Sequence, residues 1–118
     1  MDRMENIMLY ALKRDFDVQK AERFFKERGI KVQAVDMKKH PPGLRELKLF
    51  AQRAGLQNII DKQGKAYLES TVRFLTAEQA ILEALARDPR LLKGPILRMG
   101  QRVAVGYQPQ VWQSWLET

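Results

Sequence analysis

The residue types that usually carry chemistry are sparse in this chain. Cysteine is absent, which excludes disulfides, thiol redox chemistry and thiolate metal sites. The single histidine, His40, could build a histidine-based metal site only if several carboxylates converged on it. It lies in a His-Pro-Pro-Gly segment, where an exposed loop residue is a simpler interpretation than a catalytic one. We therefore expect no metal and no other cofactor, and any chemistry is left to carboxylates and cations.

Cations are in excess. The chain has 21 Lys+Arg against 14 Asp+Glu, a net charge of +7, and an isoelectric point near 9.9. Such a balance favours acidic partners, among them nucleic acid, phosphorylated ligands and acidic protein surfaces. The excess leans toward residues 1–53, which hold 13 basic and 8 acidic side chains. No motif of a nucleic-acid reader accompanies the charge, so a solvated surface is the simpler interpretation, and direct nucleic-acid binding is not expected.

The first third of the chain has the pattern of a βαβ unit. Residues 7–12 form a short apolar run bounded by polar residues, which predicts a buried strand. Asp17 then stands as an N-cap before residues 18–28, whose apolar side chains share one helical face, and Gly29 supplies the stop. Residues 30–36 alternate apolar and polar side chains with period two, which predicts a second strand.

Helical patterns dominate the middle of the chain. A turn at 40–43 precedes an amphipathic helix over 44–54, which Gly55 ends. Residues 58–70 show no sustained period, and we expect irregular structure or short helical turns there. The segment Thr76-Ala-Glu-Gln79 has the form of a capping box and predicts a helix that continues through Arg87.

The chain closes with a hairpin and a helix. Residues 96–98 and 102–105 predict two antiparallel strands, because Gly100 between them can take the positive φ of a tight reversal. A last helix is predicted over 109–116. The order of elements predicts an α/β protein with a small mixed sheet, and the length of 118 residues with 45% hydrophobic content suits a single domain over 1–118.

Three segments share the motifs of one known family. They are Leu9-Tyr-Ala-Leu-Lys-Arg-Asp-Phe-Asp-Val-Gln-Lys-Ala21, Asp88-Pro-Arg-Leu-Leu-Lys-Gly-Pro-Ile-Leu97 and Arg102-Val-Ala-Val-Gly-Tyr107. In order and spacing they resemble the arsenate reductase family, including its Spx-type transcription-regulator relatives. The first is similar to the family's strand-to-helix turn, the second to its Pro-x-Leu-[Ile/Leu]-x-Arg-Pro-[Ile/Leu] run, and the third to the strand that follows. The resemblance covers residues 7–116 and implies a thioredoxin-like fold with a helical insertion.

The resemblance implies a reductase site from which the reactive residues are missing. In the family, a cysteine at the start of the first helix attacks arsenate or a thiol, and Asp15 takes that position here. A family arginine that clamps the oxyanion with its forked donors aligns with Gly94, beside Pro95, for which the resemblance implies a cis peptide. A further family arginine aligns with Gln63. Asp15 could serve as a base or ligand in this vestigial site, although stabilisation of the helix start is the simpler role.

Other candidate residues have a functional and a structural interpretation. If the implied fold holds, Lys13, Arg14 and Lys93 converge near the vestigial site and could hold an anion at the helix N-terminus. The alternative for these cations is a solvated surface. Trp112 and Trp115, at helical spacing, are expected to anchor the closing helix, with partial exposure at a partner site as the alternative.

Together these observations favour an arsenate-reductase-like protein that has lost reductase activity and binds another protein or a small anion. An Spx-like regulator is one version, in which the region of Gly55 meets RNA polymerase, although Gly55 is equally explained as a helix C-cap. The alternative is an enzyme with non-thiol chemistry on an anionic substrate, centred on Asp15. The first residues lack the apolar stretch of a signal peptide, so we expect a cytoplasmic protein without a membrane partner.

Overall fold

The computed structural model describes residues 6–117, and one sheet of four strands organises them. The strands are β1 (Ile7–Ala11), β2 (Val32–Asp36), β3 (Ile96–Met99) and β4 (Arg102–Val105), and the helices are α1 (Phe16–Glu27), α2 (Leu44–Ala54), α3 (Lys65–Leu68), α4 (Glu78–Arg87) and α5 (Pro109–Leu116). Short 3₁₀ turns cover Leu56–Ile59, Thr71–Phe74 and Pro89–Leu91. Residues 1–5, on which the signal-peptide expectation rests, and Thr118 lie outside the described residues. Within 6–117, no helix is long and apolar enough to cross a bilayer.

The strands follow the order β2-β1-β3-β4 across the sheet. β1 pairs in parallel with β2, from Ile7 opposite Val32 to Ala11 opposite Asp36. β3 runs antiparallel to both β1 and β4, so the sheet is mixed, as the sequence predicts. The βαβ unit and the hairpin are confirmed, with β1 ending one residue earlier and β2 beginning two residues later than the sequence patterns predicted.

Helices cover both faces of the sheet because consecutive side chains of each strand point to opposite faces. Leu9 and Leu97 belong to a core that the sheet forms with α1 and α5. Tyr10 and Ile96 belong to a second core, on the face that α2 and α4 cover. The residues that these two helices bury there are Leu47, Phe50, Ala51, Ile81, Leu82 and Leu85. The helical segment between β2 and β3 thus fills one face of an otherwise thioredoxin-like sheet.

The closing helix α5 is held to the sheet by its two tryptophans. Trp112 is fully buried and Trp115 is 8% exposed. Trp112 packs against the rings of Phe24 and Phe25 on α1, at centroid distances of 5.3 and 5.4 Å. The expected role of both tryptophans as anchors is confirmed.

The first helix begins earlier than the sequence pattern predicted. Asp15 is the N-cap of α1, because its backbone is extended and its Oδ1 accepts a hydrogen bond from Val18 N at 3.0 Å. The prediction that Asp17 caps the helix was wrong. Asp17 lies inside the first turn, where its charge can favour the helix only through the dipole.

The capping box predicted for α4 was also wrong. Ala77 is the N-cap and makes no side-chain hydrogen bond, and the helix begins at Glu78. Because Ala77 is the N-cap, Thr76 precedes it and Gln79 is the second helical residue rather than the third, so neither occupies its capping-box position. The short helical turns expected within 58–70 are confirmed by the 3₁₀ turn Leu56–Ile59 and by α3.

Candidate functional site

The candidate site lies in the loop between the end of β1 and the start of α1. The first backbone amides of a helix have no partner within the helix and attract negative charge. Here Asp15 provides that charge within the chain: its carboxylate binds the amide of Val18, and its carbonyl accepts from Gln19 N at 3.0 Å. The carboxylate therefore occupies a donor that an anionic ligand would otherwise use.

A second loop approaches this end of β1. The Gly94–Pro95 peptide is cis, as the family resemblance implies. A Cβ atom at Gly94 would lie 3.7 Å from Ala11 Cα and 3.7 Å from the Tyr10 carbonyl oxygen, which is ordinary van der Waals contact. The glycine also has no positive φ. Neither the space for a Cβ atom nor the backbone conformation at position 94 thus demands glycine.

The cations assigned to this site by sequence line two different depressions. Lys13 and Arg14 line a depression of about 200 Å³ beside β1 and β2, in which Glu22 and Asp36 also lie. Arg14 is bound to Glu22, with Nη2 to Oε1 at 2.7 Å. Lys93 lines a separate depression along β4. The three-cation anion site stays a prediction, and these contacts do not favour it.

The remaining sequence candidates lie on the surface. His40 is exposed and its amide donates to the carbonyl of Asp36 at 2.8 Å. Gln63 is exposed in the turn before α3. In the part of the chain that the structure describes, no group of histidine, aspartate and glutamate is arranged to hold a metal ion.

A buried tyrosine cluster lies on the other face of the sheet, and the sequence patterns did not reveal it. The Tyr10 hydroxyl donates to Glu46 Oε2 at 2.9 Å, and Arg98 Nη1 lies 3.7 Å from the same oxygen. Glu46 Oε1 also accepts from the amide of Gly43 at 3.3 Å, at the start of α2. Burial, followed by the hydrogen bond to Glu46, raises the pKa of Tyr10. The cluster ties β1, β3 and α2 together and keeps the tyrosine protonated.

Replacement of Tyr10 by phenylalanine is expected to make stability less sensitive to alkaline pH. Because the folded-state pKa of Tyr10 is raised above 10.0, the hydroxyl ionises more readily in the unfolded chain. Its contribution is fully present below the unfolded-state pKa and is lost as pH rises through the folded-state pKa. Urea denaturation at increasing pH should show a steeper fall for the wild type than for Tyr10→Phe. Exposed Tyr107→Phe serves as control, and equal slopes for wild type and Tyr10→Phe would contradict the prediction.

Replacement of Asp15 by alanine is expected to lower the free energy of unfolding by about 1 kcal/mol, the usual cost of losing an N-cap. Asp17→Ala is the matched control, since it removes only the favourable interaction of a charge with the helix dipole, worth roughly 0.3–1 kcal/mol. Thermal and urea denaturation of the two variants give the comparison. If Asp17→Ala lowered the free energy of unfolding more than Asp15→Ala did, the N-cap would be assigned to the wrong residue.

The fold and this site together define a class of protein. A mixed sheet with helices on both faces, a helical insertion before the hairpin and a cis proline beside β1 are the features of the thioredoxin-like arsenate reductases. Residues 10–115 match the model of the ArsC family, and the chain belongs to that family.

Individual relatives agree with this assignment. The chain is 28% identical over 103 residues to the uncharacterized protein YusI of Bacillus subtilis, which covers 82% of this chain and 87% of YusI. It is 32% identical over 92 residues to the global transcriptional regulator Spx 2 of Oceanobacillus iheyensis, covering 75% of this chain and 68% of Spx 2. The solved arsenate reductase from Vibrio cholerae superposes with a TM-score of 0.81 at 20% identity, over 92% of this chain and 97% of that one. At that identity the superposition shows a shared fold.

Proposed function

We propose that this chain is an ArsC-family protein without reductase activity, which acts in the cytoplasm by binding another protein. The observation that carries the proposal is the carboxylate of Asp15, which caps α1 through the amide of Val18. The family resemblance aligns this residue with the nucleophilic cysteine. A carboxylate cannot perform thiol chemistry, and no cysteine elsewhere in the chain can replace it. Gly94 in place of the oxyanion arginine supports the same conclusion.

The favoured version of this function is regulation of transcription through contact with RNA polymerase. It is supported by the similarity to a relative named as a global transcriptional regulator and by the net charge of +7, which suits an acidic surface. Gly55, in the region where Spx-type regulators meet the polymerase, also has a structural reason to be glycine. Its φ is +96°, and an added Cβ would lie 2.8 Å from Asn58 Nδ2.

The alternative, an enzyme with non-thiol chemistry on an anionic substrate, has less support. Such an enzyme needs a carboxylate and cations that face the same substrate. Asp15 is engaged with its own helix, Arg14 is paired with Glu22, and Lys93 lies in a different depression. For such an enzyme Asp15→Ala should abolish turnover, whereas for a binding protein the same change should leave partner affinity nearly unaltered.

Loss of reductase activity is tested with the purified chain. Arsenate and disulfide reduction are measured with thioredoxin or glutaredoxin supplied, and the arsenate reductase from Vibrio cholerae serves as the active control. We expect rates at the level of the reaction without protein. Thiol-dependent turnover above that background would refute the proposal.

Contact with the polymerase is tested by capture on the immobilised C-terminal domain of the RNA polymerase α subunit. We expect retention of the chain above that on beads without the domain. A binding measurement with the purified components, at the same salt concentration, separates a direct contact from carry-over. No enrichment would remove the transcriptional version and leave the wider proposal of a non-catalytic binding protein in place.

A further inference from the structure

A groove runs along the outer side of β4. Two depressions of about 540 and 640 Å³ meet there, and both are lined by Arg53 and Val103. The first continues past Lys93 and Val105, and the second past Arg102. We call this surface, defined by Arg53, Lys93, Arg102, Val103 and Val105, the β4 groove.

The β4 groove follows a sheet edge. β4 is the last strand in the sheet order of the described residues. In the antiparallel pairing of β3 with β4, Leu97 lies opposite Ala104, and the amide of Gly106 donates to the Pro95 carbonyl at 2.8 Å. Hydrogen-bonded and non-hydrogen-bonded pairs alternate in such a ladder, so the backbone groups of Val103 and Val105 point away from β3. The Val105 carbonyl accepts from Gln108 Nε2 at 2.7 Å. The outward groups without a hydrogen bond among the described residues are therefore the amide and carbonyl of Val103 and the amide of Val105, and such groups can pair with a further extended chain.

The charge along the groove has one sign. Its charged lining residues within 6–117 are Arg53, Lys93 and Arg102, all of them cations. Arg53 donates to the side-chain oxygen of Gln101 at 3.1 Å, a neutral partner. Neither Arg53 nor Lys93 forms an ion pair with a carboxylate of the described residues. An acidic ligand would therefore contact Arg53 and Lys93 without displacing a carboxylate of the described residues.

We propose that the β4 groove binds an extended, acidic segment of a partner protein, which adds to the sheet as a strand beside β4. Its backbone pairs with Val103 and with the amide of Val105, and its carboxylates contact Arg53 and Lys93. Outward backbone groups select a polypeptide over a nucleic acid, because main-chain hydrogen bonds provide the affinity in strand addition. The inference rests on the proposed binding function, for which it names the chemistry of the partner.

The first test measures binding of a fluorescent peptide of alternating valine and glutamate by anisotropy. Two control peptides carry either lysine in place of glutamate or prolines that block strand pairing. We expect binding of the first peptide only, with an affinity that falls as salt is added. Equal binding of the proline peptide would reduce the contact to charge attraction and overturn strand addition. Tighter binding of a single-stranded oligonucleotide would assign the groove to nucleic acid and overturn the proposal.

The second test locates the site. The double variant Arg53→Glu/Lys93→Glu is expected to lower the affinity for the peptide of alternating valine and glutamate by at least about tenfold, since two favourable charge contacts become repulsive. Lys31→Glu is a control at an exposed lysine beside β2, at the opposite edge of the sheet. In amide spectra of the wild-type protein, the peptide should shift the signals of Val103 and Val105. The site would be refuted if only amide signals of α1 shifted, or if the double variant and Lys31→Glu lost the same amount of peptide affinity.

The peptide-binding tests and the reductase assay can fail separately. A chain that binds none of the peptides but shows no reductase turnover would lose this inference and keep the proposed function. A chain that reduces arsenate would lose the proposed function, whatever it binds along β4.

Discussion

Replacing Trp112 with alanine should lower the free energy of unfolding by about 3–5 kcal/mol, the range for deleting a large buried aromatic side chain. Trp112 is fully buried and contacts three rings, those of Phe24, Phe25 and Tyr107, at centroid distances of 5.3, 5.4 and 5.6 Å. Alanine would leave a cavity between α1 and α5 that the surrounding rings can fill only in part. Urea denaturation followed by far-ultraviolet circular dichroism measures the loss.

Two variants serve as controls for this prediction. Trp112→Phe keeps an aromatic ring and removes Nε1, which is buried without a hydrogen-bond partner among the described residues. This variant should therefore lower the free energy of unfolding clearly less than Trp112→Ala does. Tyr107→Ala removes a ring that touches Trp112 but is 43% exposed, and it should also cost less. A cost for Trp112→Ala no greater than that for Tyr107→Ala would contradict the assigned role of Trp112 as the anchor of α5.

Replacing Asp15 with cysteine should produce a thiol with a strongly lowered pKa. The amide of Val18 and the positive end of the α1 dipole, which now stabilise a carboxylate, would stabilise a thiolate in the same position. Thiols at helix N-termini have pKa values of about 3.5–7.5 against about 8.5 for a free cysteine. Because the chain has no other cysteine, the rate of alkylation by iodoacetamide against pH reports this one group.

Gln52→Cys is the matched control for the restored thiol. Gln52 is exposed and lies near the C-terminal end of α2, where the helix dipole disfavours a negative charge. Its thiol should titrate at or above the ordinary value and react more slowly at neutral pH. Identical titration of the two cysteines would mean that the start of α1 does not stabilise an anion, and the interpretation of Asp15 would be lost.

Most elements of the fold could be predicted because their signals are local. Residues 18–28 repeat apolar side chains with the helical period, and residues 30–36 alternate, so each segment indicates its own structure. The caps could not be assigned in this way. Asp15 and Asp17 both suit an N-cap chemically, and only the point at which the backbone leaves its extended conformation distinguishes them. Thr76 matched the capping-box pattern, but α4 begins one residue too late to use it.

The site could be predicted only as far as the family resemblance extends. Asp15 and Gly94 were placed by alignment with motifs, and the structure brings their loops to the same end of β1. No local sequence pattern indicates the direction of a lysine side chain, and Lys93 lines a depression along β4 whereas Lys13 lines another. Tyr10 and Glu46 lie 36 positions apart in sequence, and no local pattern links a strand residue to the start of α2.

The aspartate at the start of α1 has a consequence for how this protein would respond to its surroundings. Because the Asp15 side chain binds the amide of Val18, that donor is satisfied without a sulfur atom or a bound oxyanion. Peroxide and disulfide stress have no thiol in this chain on which to act. Oxidation of a thiol therefore cannot switch this protein between two states.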